Sequence, residues 1–164
     1  MIKVVCEEIT QLRVDAIVNA ANTALRPGGG VDGAIRRAAG PELNQACERL
    51  GGCPTGEARL TPGFRLPARY VIHTAGPVWQ GGAHNEAELL KSCYRESFKW
   101  ALDKGLRSIA FPCISTGVYA YPREAAAKIA VTHMQAFEDR FTEIIACCHS
   151  EDDEKIYLNA LGRS

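Results

Sequence analysis

Short apolar runs and longer amphipathic segments alternate along this chain. The apolar runs are rich in valine, isoleucine and alanine, as buried strands of an α/β sheet tend to be. We predict strands at residues 2–6, 15–21, 58–62, 70–75, 108–114 and 143–148.

The segments between these runs have helical patterns with recognisable ends. Pro41 opens one pattern and Gly51 closes it, because proline favours the first helical position and glycine the position just past the end. Asn85 is a candidate N-cap for another. We predict helices at residues 32–40, 41–52, 85–105, 122–140 and 151–162. This alternation predicts an α/β fold with helices on both faces of the sheet.

Composition and charge limit the classes of function that this protein can have. A chain of 164 residues that is 46% hydrophobic fits one domain over residues 1–164. Nineteen basic and nineteen acidic side chains give zero formal charge, which argues against nucleic acid or an anionic membrane as a partner. We expect neither a signal peptide nor a membrane span. Seven scattered cysteines without a CxxC pair predict reduced thiols and a cytoplasmic location.

Two irregular loops follow predicted strands, at residues 19–33 and 114–124. Ligands of α/β sheets usually bind beyond the carboxyl ends of the strands, so we expect the functional site there. The first loop contains GxGxxG at residues 28–33, ahead of a helical pattern. Glycines let backbone N–H groups approach a diphosphate, and the start of a helix favours an anion.

The glycine motif alone is weak evidence for a nucleotide site. In a dinucleotide-binding crossover the first glycine closely follows the strand, whereas here several residues intervene. Gly33 is followed by Ala34 instead of the lysine of a P-loop. These features disfavour NAD binding and ATP cleavage, and a flexible surface loop remains an alternative.

The polar residues of both loops have more than one interpretation. Asp32 is either the N-cap of its helix or a catalytic carboxylate. Asn19 and Asn22 can bind loop backbone or a ligand hydroxyl. Tyr119 and Tyr121 can pack on the sheet or cover a sugar or base.

The second loop offers a further anion contact, whereas the histidines and Cys113 give weaker evidence of function. Residues 115–117 present hydroxyls and backbone N–H groups before a helix that starts near proline. We predict His73 to be a hydrogen-bonded core histidine and Cys113 to be a small buried residue, with a reactive thiol as the alternative for Cys113. No catalytic triad or metal-ligand spacing stands out.

Five motifs in order resemble the macrodomain family, and within it the MacroD-type ADP-ribosyl hydrolases and O-acetyl-ADP-ribose deacetylases. The resemblance extends from Ile2 to about Tyr157, and its motifs are VDAIVNAAN, GGGVDGAIRRAAGP, CPTGEA, PARYVIHTAGPVW and FPCISTGVYAYP. It implies a three-layer α/β/α fold with a mixed central sheet and an ADP-ribose cleft. The implied partners are ADP-ribose, its O-acetyl derivative and mono-ADP-ribosylated proteins, with no metal or cofactor.

The resemblance also implies residue roles. Asn22 and Asp32 would be catalytic at the distal ribose, while Glu8 and Ile9 would contact adenine. The remaining implied ligand-binding residues belong to the two loops: Gly28, Gly29, Gly30, Val31, Gly33, Ser115, Thr116, Gly117, Val118 and Tyr119.

Three departures from the family pattern bear on affinity. Glu7 and Glu8 stand where Gly-Asp is usual, so the carboxylate at the adenine end is one methylene longer. Pro27 replaces a common glycine and removes one N–H donor. Ala120 also replaces a glycine, at a cost of about 1 kcal/mol if that position needs a positive φ.

These roles predict hydrolysis of esters at the distal ribose of ADP-ribose. A water held between Asp32 and the ligand phosphate would attack the ester, and Asp32 would orient or deprotonate it. The alternatives are a module that binds ADP-ribose without cleaving it and an ADP-ribose 1″-phosphate phosphatase.

Overall fold

The computed structural model describes residues 1–163, so Ser164, the last residue of the predicted domain, lies outside the described residues. The strands are β1 (Ile2–Val5), β2 (Ala16–Ala21), β3 (Ala58–Pro62), β4 (Tyr70–Ala75), β5 (Ser108–Phe111) and β6 (Glu143–Cys147). The helices are α1 (Gly30–Ala39), α2 (Pro41–Leu50), α3 (Glu86–Asp103), α4 (Arg123–Phe137) and α5 (Glu151–Ala160). Short 3-10 helices lie at Ile9–Gln11 and Glu138–Arg140.

The strands form one mixed sheet in the order β1-β6-β5-β2-β4-β3. β3 is antiparallel to β4, and the other neighbouring strands are parallel. The strands β2, β4, β5 and β6 are buried at nearly every position, which explains their near-continuous apolar runs. The predicted mixed central sheet is confirmed.

Helices cover both faces of this sheet. On β5, Ile109 and Phe111 point toward one hydrophobic core and Ala110 toward the other, as the two-residue period of a strand requires. The first core packs against α3, α4 and α5, and includes Phe98. The second packs against α1 and α2, and includes Ile35. The three-layer α/β/α architecture is therefore confirmed.

Several predicted element ends are confirmed and others are corrected. Pro41 opens α2, and Gly51 follows it in the left-handed conformation at φ +73°. Asn85 precedes α3, but its side chain makes no capping hydrogen bond. The strand predicted at 108–114 ends at Phe111, because the chain leaves the sheet early to form the second loop.

The predicted start of α1 is wrong by two residues, and this changes the position of Asp32. α1 begins at Gly30 with Gly29 as N-cap, so Asp32 is the third helical residue and not the cap. A carboxylate in the first helical turn still interacts favourably with the helix dipole.

Among residues 1–163, no helix is both long enough and apolar enough to cross a membrane.

Candidate active site

The sheet brings the two loops together at the carboxyl ends of neighbouring strands. β2 and β5 pair in parallel, with Ala16 opposite Ile109. The glycine loop (residues 22–29) follows β2, and the serine loop (residues 112–122) follows β5. Residues about 90 positions apart in sequence thus meet at one edge, where α/β sheets bind ligands.

The carboxylate of Asp32 lies beneath the glycine loop and accepts three hydrogen bonds. Its Oδ1 accepts from Asn19 Nδ2 at 2.8 Å. Its Oδ2 accepts from the Gly28 backbone N–H at 2.7 Å and from Arg36 Nε at 2.9 Å. Asp32 is only 4% exposed. These donors suit an ionised carboxylate, and the bond to Gly28 ties the glycine loop to α1.

Asn22 closes a tight turn within the glycine loop. Its Nδ2 donates to the Arg26 carbonyl at 2.8 Å, and its Oδ1 accepts from the Arg26 N–H at 3.0 Å. A β-carbon built on Gly28 would lie 3.5 Å from Asn22 Nδ2 and 3.4 Å from Asp32 Oδ2. The side chains of the two predicted catalytic residues therefore both lie close to the β-carbon position of Gly28.

Glycines make this close packing possible. A β-carbon on Gly33 would lie 2.8 Å from the Gly28 carbonyl oxygen, too close for any other residue. Gly30 has φ +55°, in the left-handed region that glycine adopts readily. The exposed Gly29 and Gly30 lead into α1 beside the half-buried Val31. The first N–H groups of a helix lack intrahelical partners, so this end of α1 can bind an anion.

The serine loop folds back on itself as a compact turn. The Ser115 carbonyl accepts from the Tyr121 N–H at 2.9 Å, and the Gly117 carbonyl accepts from the Ala120 N–H at 3.0 Å. Thr116 Oγ1 donates to the Cys113 carbonyl at 3.2 Å. Ser115 adopts φ +68°, and its buried Oγ has no partner among the described residues. That hydroxyl packs against Gly76 and, within residues 1–163, has no hydrogen-bond acceptor there.

The exposed end of the serine loop rests on the loop that follows β4. The Trp79 N–H donates to the Tyr119 carbonyl at 2.8 Å, and the Trp79 ring lies 4.8 Å from the buried Tyr121 ring. Tyr121 could either pack on the protein or cover a sugar or base, and the structure shows that it packs. Tyr119 stays half-exposed, and Val118 is 98% exposed at the tip.

Two of the three departures have a clear structural outcome. Ala120 has φ +60°, so the position does require the left-handed conformation that glycine tolerates better. Glu7 is not among the residues with positive φ, so no glycine is needed there. Pro27 is exposed on the glycine loop.

The predicted adenine contacts lie at the carboxyl end of β1. Glu8 is exposed, and Ile9 is buried at the start of a 3-10 helix. The Cys147 thiol donates to the Glu7 carbonyl at 3.1 Å, which joins this segment to β6.

Cys113, which was predicted to be buried, is half-buried.

A buried polar network that the sequence does not reveal supports Asp32. Asn19 Nδ2 also lies 3.1 Å from His73 Nδ1, and His73 Nε2 lies 2.9 Å from Thr61 Oγ1. Burial, helped by the nearby Arg36 charge and opposed by Asp32, lowers the pKa of His73 to about 4. A neutral His73 with its proton on Nε2 accepts from Asn19 and donates to Thr61. The prediction of a hydrogen-bonded core histidine is confirmed.

The network leaves one buried acceptor unused. Asn19 donates through its amide nitrogen to Asp32 and His73, while its Oδ1 is buried and has no donor among residues 1–163. This amide orientation is the favourable one, because the reverse would set two acceptors against each other.

Gly76 and Glu86 are further residues that sequence reasoning missed. A β-carbon on Gly76 would overlap Ser115 Oγ, so the serine loop needs glycine there. Glu86 accepts backbone hydrogen bonds from Gln80, Gly82 and His84 at 2.6–2.9 Å. Burial raises the pKa of Glu86, but these hydrogen bonds outweigh it and lower the pKa to about 2. Gly81 and Gly82, shortly before Glu86, are the only local sequence feature that indicates the turn around Glu86.

In the described part of the chain, no three His, Cys, Asp or Glu side chains are grouped so that they could hold a metal ion.

Comparison with known proteins identifies the family. The sequence matches the Macro domain family over residues 18–130. It is 53% identical to the O-acetyl-ADP-ribose deacetylase of Citrobacter rodentium, covering 98% of this chain and 94% of the relative. It is 52% identical to the ADP-ribose glycohydrolase MACROD2 of Xenopus laevis, covering 94% of this chain but 38% of that longer protein.

A solved structure supports the same assignment. The Trypanosoma brucei macrodomain in complex with ADP-ribose superposes with a TM-score of 0.91 at 45% identity, covering 98% of this chain and 69% of that one. The fold, the two loops at one sheet edge and these relatives lead to one conclusion: the chain belongs to the macro domain family, in its MacroD-type branch of hydrolases.

Proposed function

We propose that this macrodomain binds ADP-ribose between the glycine and serine loops and hydrolyses esters at the distal ribose. Its substrates are O-acetyl-ADP-ribose and proteins that carry mono-ADP-ribose on Asp or Glu side chains. The main support is the proximity of Asn22 and Asp32, whose side chains both lie close to the β-carbon position of Gly28 just before α1. The names of the deacetylase and glycohydrolase relatives agree with it.

The diphosphate is bound by backbone groups of both loops. The N–H groups of Gly29, Gly30 and Val31 at the start of α1 supply donors and a favourable dipole. The backbone N–H groups of residues 115–117 supply further donors from the serine loop. Glu8 and Ile9 contact adenine, and Gly117, Val118 and Tyr119 cover the distal ribose.

The chemical step uses a water between Asp32 and a ligand phosphate oxygen. Among the described residues, Asp32 Oδ1 accepts a single hydrogen bond, so it can accept another from this water. For the acetyl ester, the water adds to the carbonyl carbon. The bond to the ribose oxygen then breaks, that oxygen takes a proton, and acetate and ADP-ribose are released. Asn22 holds the ribose hydroxyls in place, and this positioning can lower the barrier by several kcal/mol.

A calorimetric titration with ADP-ribose and two turnover assays test the proposal. We expect measurable binding, and turnover of both O-acetyl-ADP-ribose and an Asp/Glu-linked ADP-ribosylated protein. Asp32→Asn should abolish most turnover while ADP-ribose still binds, and Asn22→Ala should slow turnover more than it weakens binding. Asp139→Asn, an exposed position outside the site, is the matched control. Wild-type turnover by Asp32→Asn would contradict the mechanism.

A non-catalytic ADP-ribose reader is the second candidate, because one observation favours it. Three protein donors already bind the Asp32 carboxylate, as expected of a residue that only holds the glycine loop. Binding of ADP-ribose without turnover of either substrate would establish this function instead.

We assign the activity to a single domain over residues 1–164 that works in a reducing compartment such as the cytoplasm. Seven free cysteines support that compartment.

A further inference from the structure

Arg36 lies one turn after Asp32 on α1 and connects three segments around the site. Its Nε donates to Asp32 Oδ2 at 2.9 Å, its Nη1 to Asn44 Oδ1 at 2.8 Å, and its Nη2 to the Leu25 carbonyl at 3.0 Å. These partners belong to α1, α2 and the glycine loop. Three separate nitrogens of one planar guanidinium thus each bond a different partner, whereas a lysine ammonium has all its donors on a single nitrogen and does not match this spacing.

The hydrogen bond to the Leu25 carbonyl connects Arg36 indirectly to Asn22. Leu25 has φ +54°, and its N–H donates to the Asn22 carbonyl at 3.1 Å. The Asn22 side chain closes the same turn through Arg26. Arg36 therefore contacts Asp32 directly and holds the turn that carries Asn22.

The Arg36–Asp32 pair also differs from the other ion pairs of residues 1–163. Its side chains are 4% and 5% exposed, whereas every other pair has at least one side chain exposed by more than a quarter. Two opposite buried charges with satisfied hydrogen bonds are held in one geometry, since separating them would leave each charge unpaired in the interior.

We infer that Arg36 is a positioning residue for the ester hydrolysis, which fixes Asp32 and the Asn22 turn relative to each other without contacting the substrate. The inference rests on the proposed function. It attributes to Arg36 an effect on the chemical step and not on ADP-ribose binding, because the diphosphate donors belong to other residues.

Kinetics of Arg36→Met and Arg36→Lys, together with calorimetry for ADP-ribose, test this role. We expect Arg36→Met to lower kcat by about 10- to 100-fold, since small misplacements of catalytic groups have effects of that order. The Kd for ADP-ribose should change by less than about threefold. Arg36→Lys should recover only part of kcat, because it keeps the charge but has a single nitrogen in place of the three that bond Asp32, Asn44 and Leu25. Arg49→Met, an exposed arginine on α2, should keep wild-type kinetics.

A double-mutant cycle separates action through Asp32 from a general effect on the fold. In the Asp32→Asn background, adding Arg36→Met should reduce kcat little further, because both changes remove the same arrangement. If Arg36→Met does not fold, Arg36→Lys and Asn44→Ala carry the test. Both should then lower kcat with Kd nearly unchanged.

Three outcomes would overturn the inference while leaving the proposed function in place: wild-type kcat in folded Arg36→Met or, failing that, in Arg36→Lys; a loss confined to Kd; or fully independent effects in the cycle. Absence of turnover of both substrates by the wild-type protein would instead show that the proposed function fails, so the two failures are distinguishable.

Discussion

At the scale of single residues, the role of Asp32 follows from its buried carboxylate and the groups that bond to it. Asp32 is the third residue of α1, with an oxygen accepting from the Gly28 N–H and from Arg36. The carboxylate thus holds the glycine loop, neutralises a buried arginine and lies beside Asn22. A helix-capping role would account for none of these contacts, because the cap position belongs to Gly29.

Removing Asp32 should strongly destabilise the protein, because Arg36 would be left buried without its counter-charge. We expect Asp32→Ala to lower the free energy of unfolding by about 3–5 kcal/mol, as for other broken buried ion pairs. Urea denaturation measures it. The double variant Asp32→Leu/Arg36→Met should recover most of that loss, because it leaves no unpaired charge. A loss below about 1 kcal/mol in Asp32→Ala would contradict the role assigned to the pair.

Ala120→Gly should stabilise the protein, because residue 120 has φ +60°. We expect a gain of about 1 kcal/mol, the penalty for a β-carbon in the left-handed region. Ala125→Gly, at an exposed position in α4, is the matched control and should lose about 1 kcal/mol. Denaturation of both variants gives the comparison, and a loss in Ala120→Gly would argue against the positive φ.

At the scale of elements, the loop between β4 and α3 supports the serine loop. The carboxylate of Glu86, the first residue of α3, accepts hydrogen bonds from the N–H groups of Gln80, Gly82 and His84. Trp79, in the same loop, bonds to Tyr119 and packs on Tyr121. The shape of one side of the cleft therefore depends on a carboxylate that is not itself in the cleft.

Glu86 should make stability depend on pH in acid. Its pKa is about 2 in the folded protein against an ordinary 4.5, so the unfolded chain takes up the proton first as the pH falls. The stabilisation is therefore present above about pH 4.5 and is lost as the pH falls toward 2. Glu86→Gln should lower the free energy of unfolding at pH 7, and its difference from wild type should shrink across that window.

Denaturation at several pH values measures this dependence, with Glu88→Gln as the control. Glu88 lies on the same helix and is exposed, so its variant should follow the wild-type profile. A constant difference between wild type and Glu86→Gln from pH 7 to 2 would contradict the role of Glu86.

At the scale of the whole molecule, sheet topology assembles the site. The glycine loop follows β2 and the serine loop follows β5, and these strands are neighbours only because the chain crosses over between them. In the proposed function each loop supplies part of the ligand site, so a ligand bound between them would join segments from both halves of the sequence.

ADP-ribose should therefore raise the thermal stability of the whole domain. At a ligand concentration 100 times Kd, binding to the folded state adds about 2.7 kcal/mol. We expect the Tm to increase with ADP-ribose concentration in calorimetric scans, and to increase much less with adenosine, which lacks the diphosphate. Equal shifts with both ligands would show that the loops do not bind the diphosphate.

Much of the fold and part of the site could be predicted from local patterns. Apolar runs marked the strands, and Pro41 and Gly51 marked the ends of α2, because these effects depend on a few neighbouring residues. The prediction failed at the start of α1, where glycines that are poor helix formers continue into the helix. There the Asp32 side chain bonds both to the Gly28 N–H and, through a tertiary contact, to Asn19 of β2, and these bonds outweigh the local preference.

By itself, the sequence determined the α/β alternation, the two loops that carry the site and, through its motifs, the family. Only the tertiary structure decided that the Asp32–Arg36 pair of α1 is buried, that Asn19 and His73 form a hydrogen-bonded network with Asp32, that Tyr121 packs while Tyr119 stays half-exposed, and that Gly76 makes room for Ser115. The physical reason is distance along the chain. Local rules act over a few residues, whereas the packing that buries the Asp32–Arg36 pair and makes the other contacts joins different strands, helices and loops, and burial sets the strength of the polar contacts.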